Sequence, residues 1–258
     1  MSSIISEIKT GIGIIKLNRP EVLNSFNKEM AMMLQQTLDQ FAADNAVRVI
    51  YITGNGRAFC AGQDLAEAIA TDGPELKSIV KDHYNPIIEK IRTIEKPIVC
   101  AVNGVAAGAG ANIALACDIV FASSEASFIQ AFSKIGLIPD SGGTYTLPRL
   151  IGLQRATALM MLGDKVSAAE AQSMGMIYKV CEAEIMEETA MKCAGLLATM
   201  PTRGLGLTKR ALNASLSNTL TQQLNVEEQL QTIAGQTHDY NEGVQAFLEK
   251  RKPVFKGE

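Results

Sequence analysis

Short apolar runs punctuated by glycine fill the first half of the chain, whereas apolar positions at helical spacing fill the second. Residues 3–8 and 12–17 gather β-branched side chains around Gly11 and Gly13, which predicts a hairpin. Between Asn27 and Asp44, Met30, Met33, Leu34, Leu38 and Phe41 recur at three- to four-residue intervals, so one face of a helix is apolar there. Residues 48–53 form a compact β-branched run ended by Gly54-Asn55-Gly56, a buried strand and its turn. A helix is expected between Thr71 and Ile94, with an interruption at Asn85-Pro86, because a proline disfavours the α conformation in the residue before it. Residues 97–102, 118–123 and 126–129 predict further strands, and residues 104–110 lead into a helix running through Ala116. Strand, glycine-rich loop, helix and strand alternate without a strict repeat, the signature of an α/β protein.

Beyond Ser141 the strand signal nearly vanishes. Ser167 and Glu170 form a capping box that opens a helix ending at Gly175, and residues 176–180 predict one last strand. Residues 184–198, 202–216, 219–233 and 240–250 then predict helices. The expected organisation is a core over residues 1–200 and a helical region over 201–258, too small and regular to be catalytic alone and suited to packing between subunits. The tail from Lys250 to Lys256 is basic, and on the residues alone it is a solvated end.

Composition narrows the function. At 258 residues, 47% hydrophobic and 20% charged, the chain builds a real core. A net charge of −3 argues against a nucleic-acid binder. No apolar run is long enough for a membrane span, and the N-terminal residues lack the features of a signal peptide. The five cysteines are scattered, with neither disulfide nor metal-ligand spacing, so a reduced cytoplasmic setting without a metal is expected. Only His83 and His238 occur, no G-x-S-x-G elbow is present, and Gly108-Ala109-Gly110 completes neither a phosphate loop nor a dinucleotide fingerprint.

Asp140 carries the chemistry that remains. It follows the apolar stretch Ile135-Gly136-Leu137-Ile138-Pro139 and opens onto Ser141-Gly142-Gly143-Thr144. A carboxyl group kept partly dry there has its pKa pushed up and a proton available near neutral pH. The competing role is an N-cap for a helix starting near residue 141, which would lower the pKa instead, and the two roles can coexist. Upstream, residues 59–65 and 104–112 are glycine- and alanine-rich and can bring bare backbone N–H groups to a carbonyl oxygen, the second at a helix N-terminus. An acid/base beside such donors suits proton chemistry next to a carbonyl.

Three stretches together, Phe59-Cys-Ala-Gly-Gln-Asp-Leu65, the segment from Val102 to Asp118, and Ile135-Gly-Leu-Ile-Pro-Asp-Ser-Gly-Gly-Thr144, resemble the enoyl-CoA hydratase/isomerase (crotonase) family. The resemblance extends from Asn18-Arg19-Pro20 to the segment 247–257. Residues 84–86, 131–140 and 204–207 are most similar to the members that isomerise a ring-epoxidised arylacetyl-CoA. It implies a crotonase-like spiral of β-β-α units with C-terminal helices that build a homotrimer or a dimer of trimers. It also implies an acyl-CoA thioester substrate and no separate cofactor, coenzyme A being part of the substrate. The two backbone donors map to Ala61 and Ala109. Gly62, Gln63, Asp64 and Leu65 lie along the coenzyme A portion, Gly108, Asn112, Phe132 and Pro139 complete the substrate contacts, and Lys250 is a candidate phosphate contact. Hydratases of the family activate water with two glutamates, whose positions here hold Asn112 and Phe132. Neither is a base, so isomerisation with Asp140 as acid/base is expected over hydration. A general 3,2-enoyl-CoA isomerase, a weak hydratase and a non-catalytic CoA-ester binding subunit remain the alternatives.

Overall fold

The computed structural model describes residues 2–258. Its strands, in chain order, are β1 (Ile4–Lys9), β2 (Ile12–Leu17), β3 (Val49–Gly54), β4 (Ala58–Cys60), β5 (Ile98–Val102), β6 (Val105–Ala107), β7 (Ile119–Ser123), β8 (Ser127–Ile129), β9 (Lys165–Ser167) and β10 (Lys179–Cys181). They form a six-stranded sheet, β1-β2-β3-β5-β7-β10, and a four-stranded one, β4-β6-β8-β9. Three successive turns, β3–β4, β5–β6 and β7–β8, each leave one strand in the large sheet and the next in the small sheet. β3, β5 and β7 therefore stack in parallel, and so do β4, β6 and β8. This is the expected spiral of β-β-α units.

The inner strands β3, β5 and β7 of the large sheet are covered on both faces, which is why they are near-continuous apolar runs. Ile50, Ile52, Ile98, Cys100 and Val102 face the main core, while Val49, Tyr51, Val99 and Ala101 face the helix Ala183–Ala198 through Met186, Ala190 and Ala194. The helix Lys28–Ala43 lays Met30, Leu34, Leu38 and Phe41 on the main core, with Asn27 as its N-cap. Helices Thr202–Ser215, Leu220–Ala234 and His238–Leu248 complete the chain, the second opened by a capping box at Thr219 and Gln222. The capping box at Ser167 and Glu170 opens the helix Ala168–Ser173.

Several expectations are corrected. The predicted break at Asn85-Pro86 is no break. The chain passes through a π-helical turn, Ile79–Tyr84, into the helix Asn85–Thr93, with Pro86 in its first turn. Proline leaves the carbonyl four residues back without its donor, and here Gln35 Nε2 donates to Asp82 O at 2.8 Å and to His83 O at 3.0 Å. The last strand comprises residues 179–181 rather than 176–180. Two helices unmarked by the sequence pattern, Gly143–Ile151 and Leu153–Leu162, follow the Asp140 loop. Gly142, not Asp140, is the N-cap of the first, and no side chain caps it.

Candidate active site

β4 and β6 are parallel neighbours, so the loops leaving their carboxyl ends lie side by side, where α/β sheets place ligands. Small residues close the gap between them. Gly62 has φ +97°, and a Cβ there would lie 3.0 Å from Ala107 O and 3.7 Å from Ala109 N. A Cβ at Gly110 would come within 2.4 Å of Cys60 O. The helix Ala109–Ala116 thus begins hard against the first loop, and its first N–H, that of Ala109, has no partner among the described residues. On the first loop the Ala61 N–H is not free: it donates to Leu23 O at 3.0 Å. The N–H of Gln63, two residues on, has no partner among the described residues. Gln63 therefore takes the place that the sequence reading gave to Ala61. The pattern of residues could not reveal this, because Leu23 comes from a distant turn.

These loops open into a cavity of about 240 Å³. Its wall includes Ala61, Gly62, Gln63, Leu65, Gly108, Ala109, Phe132 and Asp140, together with Ala68, Leu76, Ile79, Tyr84, Lys134, Ile135 and Leu137. Asp140 is the carboxyl group on that wall. Burial pushes its pKa above the ordinary carboxylate value, while the Ser141 Oγ, donating to Asp140 Oδ1 at 2.9 Å, holds the rise back. Tyr84 is almost wholly buried, and burial pushes its phenol well above its ordinary pKa, so it stays a neutral donor. Its OH donates to Gln63 Oε1 at 2.8 Å and so fixes the side chain of the residue with the free N–H.

The remaining predicted contacts fall outside the wall. Asp64 caps the short helix Leu65–Ala68 and pairs with Arg19 at 2.8 Å. Pro139 is half-buried beside Asp140. Asn112 lies beneath the cavity, its amide donating to Asp140 O at 2.8 Å. Lys250 is exposed, two residues beyond the end of the helix His238–Leu248, and not on the wall. Tyr84 and Lys134 are wall residues to which the sequence reading gave no contact, although both lie in stretches, 84–86 and 131–140, that carry the family resemblance. A larger groove of about 430 Å³ runs along the C-terminal helices past Tyr240, Val244 and Phe247. The Asp239 carboxylate on its wall is occupied by the N–H groups of Lys256 and Gly257, so the chemistry belongs to the smaller cavity. No cluster of His, Cys, Asp and Glu among the described residues could hold a metal ion, and no helix there is long and apolar enough to cross a membrane.

The model of the enoyl-CoA hydratase/isomerase family matches residues 7–258. The chain is 48% identical over 260 residues to the 1,2-epoxyphenylacetyl-CoA isomerase of Escherichia coli, covering 100% of this chain and 99% of that protein. It is 36% identical over 257 residues to the trans-2-decenoyl-(acyl-carrier-protein) isomerase of Streptococcus mutans, covering 98% of each. The crystal structure of an enoyl-CoA hydratase from Bacillus anthracis matches with a TM-score of 0.92 and 34% identity, over 99% of this chain and 100% of that one.

Proposed function

The chain belongs to the enoyl-CoA hydratase/isomerase family, and from that premise we propose that it is an acyl-CoA isomerase converting ring 1,2-epoxyphenylacetyl-CoA to oxepin-CoA. The observation that carries this reading is a partly buried carboxyl group, Asp140, on the cavity wall, with Phe132 on the same wall and Asn112 buried behind it standing in place of a hydratase's two glutamates.

The thioester carbonyl accepts from the N–H groups of Gln63 and Ala109, fixed donors worth about 3–4 kcal/mol each on a developing oxyanion. Ionised Asp140 takes a proton from the carbon next to the thioester, and the charge passes to the held oxygen. The proton returns to a ring carbon as the carbon–carbon bond of the epoxide opens, giving a seven-membered oxygen heterocycle of unchanged formula. Tyr84 keeps the Gln63 loop in shape. Leu65, Leu76, Ile79, Ile135 and Leu137 give the acyl group an apolar wall. That same wall suits a straight acyl chain, which favours movement of a 3-enoyl double bond as a second activity of the same carboxyl group. The core over residues 1–200, a trimer-forming region over 201–258 and a cytoplasmic setting are parts of this reading.

The test is one preparation offered ring 1,2-epoxyphenylacetyl-CoA, trans-3-hexenoyl-CoA and crotonyl-CoA. Epoxide isomerisation should be fastest, double-bond movement measurable, and hydration of crotonyl-CoA at least ~10²-fold slower than either, the scale of a missing general base. Hydration as fast as isomerisation would refute the assignment, and no turnover of any thioester would leave a binding protein.

A further inference from the structure

Asn112 is 1% exposed and touches neither the cavity nor solvent, yet both ends of its amide are engaged. Nδ2 donates to Asp140 O at 2.8 Å, and Oδ1 accepts from Gln130 Nε2 at 2.8 Å. The direction of this relay is fixed, because the carbonyl of Asp140 can only accept. The same carbonyl takes the Gly143 N–H at 2.9 Å. Gly143 has no room for a side chain, since a Cβ would come within 2.4 Å of Asn112 Nδ2. Between them Ser141 is buried and held at φ +50°, a left-handed conformation that a serine adopts only when its surroundings hold it. Gln130 Oε1, at the far end of the relay, is buried without a partner among the described residues, so Gln130 is kept in place at some cost.

We propose that Asn112 is a positioning residue for Asp140, with Gln130 fixing the orientation of its amide. This rests on the reading of Asp140 as the proton carrier. Asn112 stands on the helix Ala109–Ala116, one turn after the donor N–H of Ala109, and its hydrogen bond ties that helix to the loop of the carboxyl group. The relay therefore sets the separation between the group that holds the thioester oxygen and the group that moves the proton. Proton transfer needs hydrogen-bond reach, and a misplacement of about 1 Å costs on the order of 10²-fold in rate.

The experiment compares wild type, Asn112→Leu, Gln130→Met and Asp140→Asn on trans-3-hexenoyl-CoA and on ring 1,2-epoxyphenylacetyl-CoA. It reads kcat, KM and the melting temperature. Asn112→Leu keeps the volume but breaks both hydrogen bonds; kcat should fall by ~10- to 10²-fold while KM stays within about twofold, because both N–H donors remain. Gln130→Met should shift kcat the same way by less, and it decides the matter if Asn112→Leu does not fold. Wild-type kcat in both relay variants, with Asp140→Asn inactive, overturns the proposal and leaves the reading of Asp140 intact. A fall in kcat matched by a rise in KM also overturns it, since that marks a helix displaced together with Ala109. Full activity in Asp140→Asn removes the reading beneath it and the proposal together.

Discussion

Burial raises the Asp140 pKa, as the proposed role of proton carrier requires, and it also fixes the sign of a stability effect. Burial raises the folded-state pKa above the ordinary value that the unfolded chain retains, so folding favours the protonated form. Its favourable contribution is complete below the ordinary carboxylate value and is lost as pH rises through the raised one. At neutral pH the ionised group opposes folding. Asp140→Asn, whose Oδ1 still accepts from Ser141, should therefore melt no lower than wild type at pH 7.5, and any advantage should disappear below pH 4, a difference that scanning calorimetry at the two pH values resolves. A clear loss of stability at pH 7.5 would show that Asp140 supports the fold in its ionised state. Its place on the cavity wall was legible, because an ionisable group between an apolar run and a glycine pair is held partly dry. Its partners were not. Ser141, Asn112 and Gln130 are ordinary polar residues until the fold brings them together, and the exchange of Ala61 for Gln63 as donor depends on which N–H the Leu23 carbonyl takes.

Among the elements, the long helices were legible, and three of the five three-residue strands were not. β4, β6 and β9 each span three residues, too few for any periodicity to register, and their pairing with neighbours defines them. The predicted break at Pro86 failed for a related reason, since the rescue of two carbonyls by Gln35 comes from another helix. The helix Thr202–Ser215 is fastened to the core by Lys209, whose Nζ is buried and donates to Ile91 O at 2.6 Å and to Asp118 Oδ2 at 2.8 Å. Burial lowers the Lys209 pKa while Asp118 opposes the fall. Asp118 also accepts from Arg92 and from the Ile98 N–H, so one carboxylate joins three elements. Lys209→Ala breaks a buried pair and should cost about 3 kcal/mol of stability, measured by urea unfolding. A cost under about 0.5 kcal/mol would mean that the clasp behaves as a surface ion pair.

At the scale of the molecule, the residues alone gave an α/β protein, and the spiral came only from the family resemblance. The reason lies in the spacing of its turns. β3 pairs with β5 through Ile50 and Ile98, but β5 pairs with β7 through Val99 and Ile119, so successive turns differ greatly in length and no sequence period survives. The C-terminal helices leave Phe247 82% and Leu248 68% exposed on the apolar groove, a face without a partner among the described residues. Light scattering should accordingly give a trimer or a multiple of three, and Phe247→Asp should lower the oligomeric state; a stable monomer at micromolar concentration would contradict this part of the account. In the proposed mechanism one carboxyl group moves the proton on a thioester held by Gln63 and Ala109. The most direct test is kcat for isomerisation by Asp140→Asn, alongside the Kd for a non-reactive saturated acyl-CoA. The kcat should fall by at least ~10²-fold with Kd within about twofold of wild type; near wild-type turnover by the Asn variant would contradict the role proposed for Asp140.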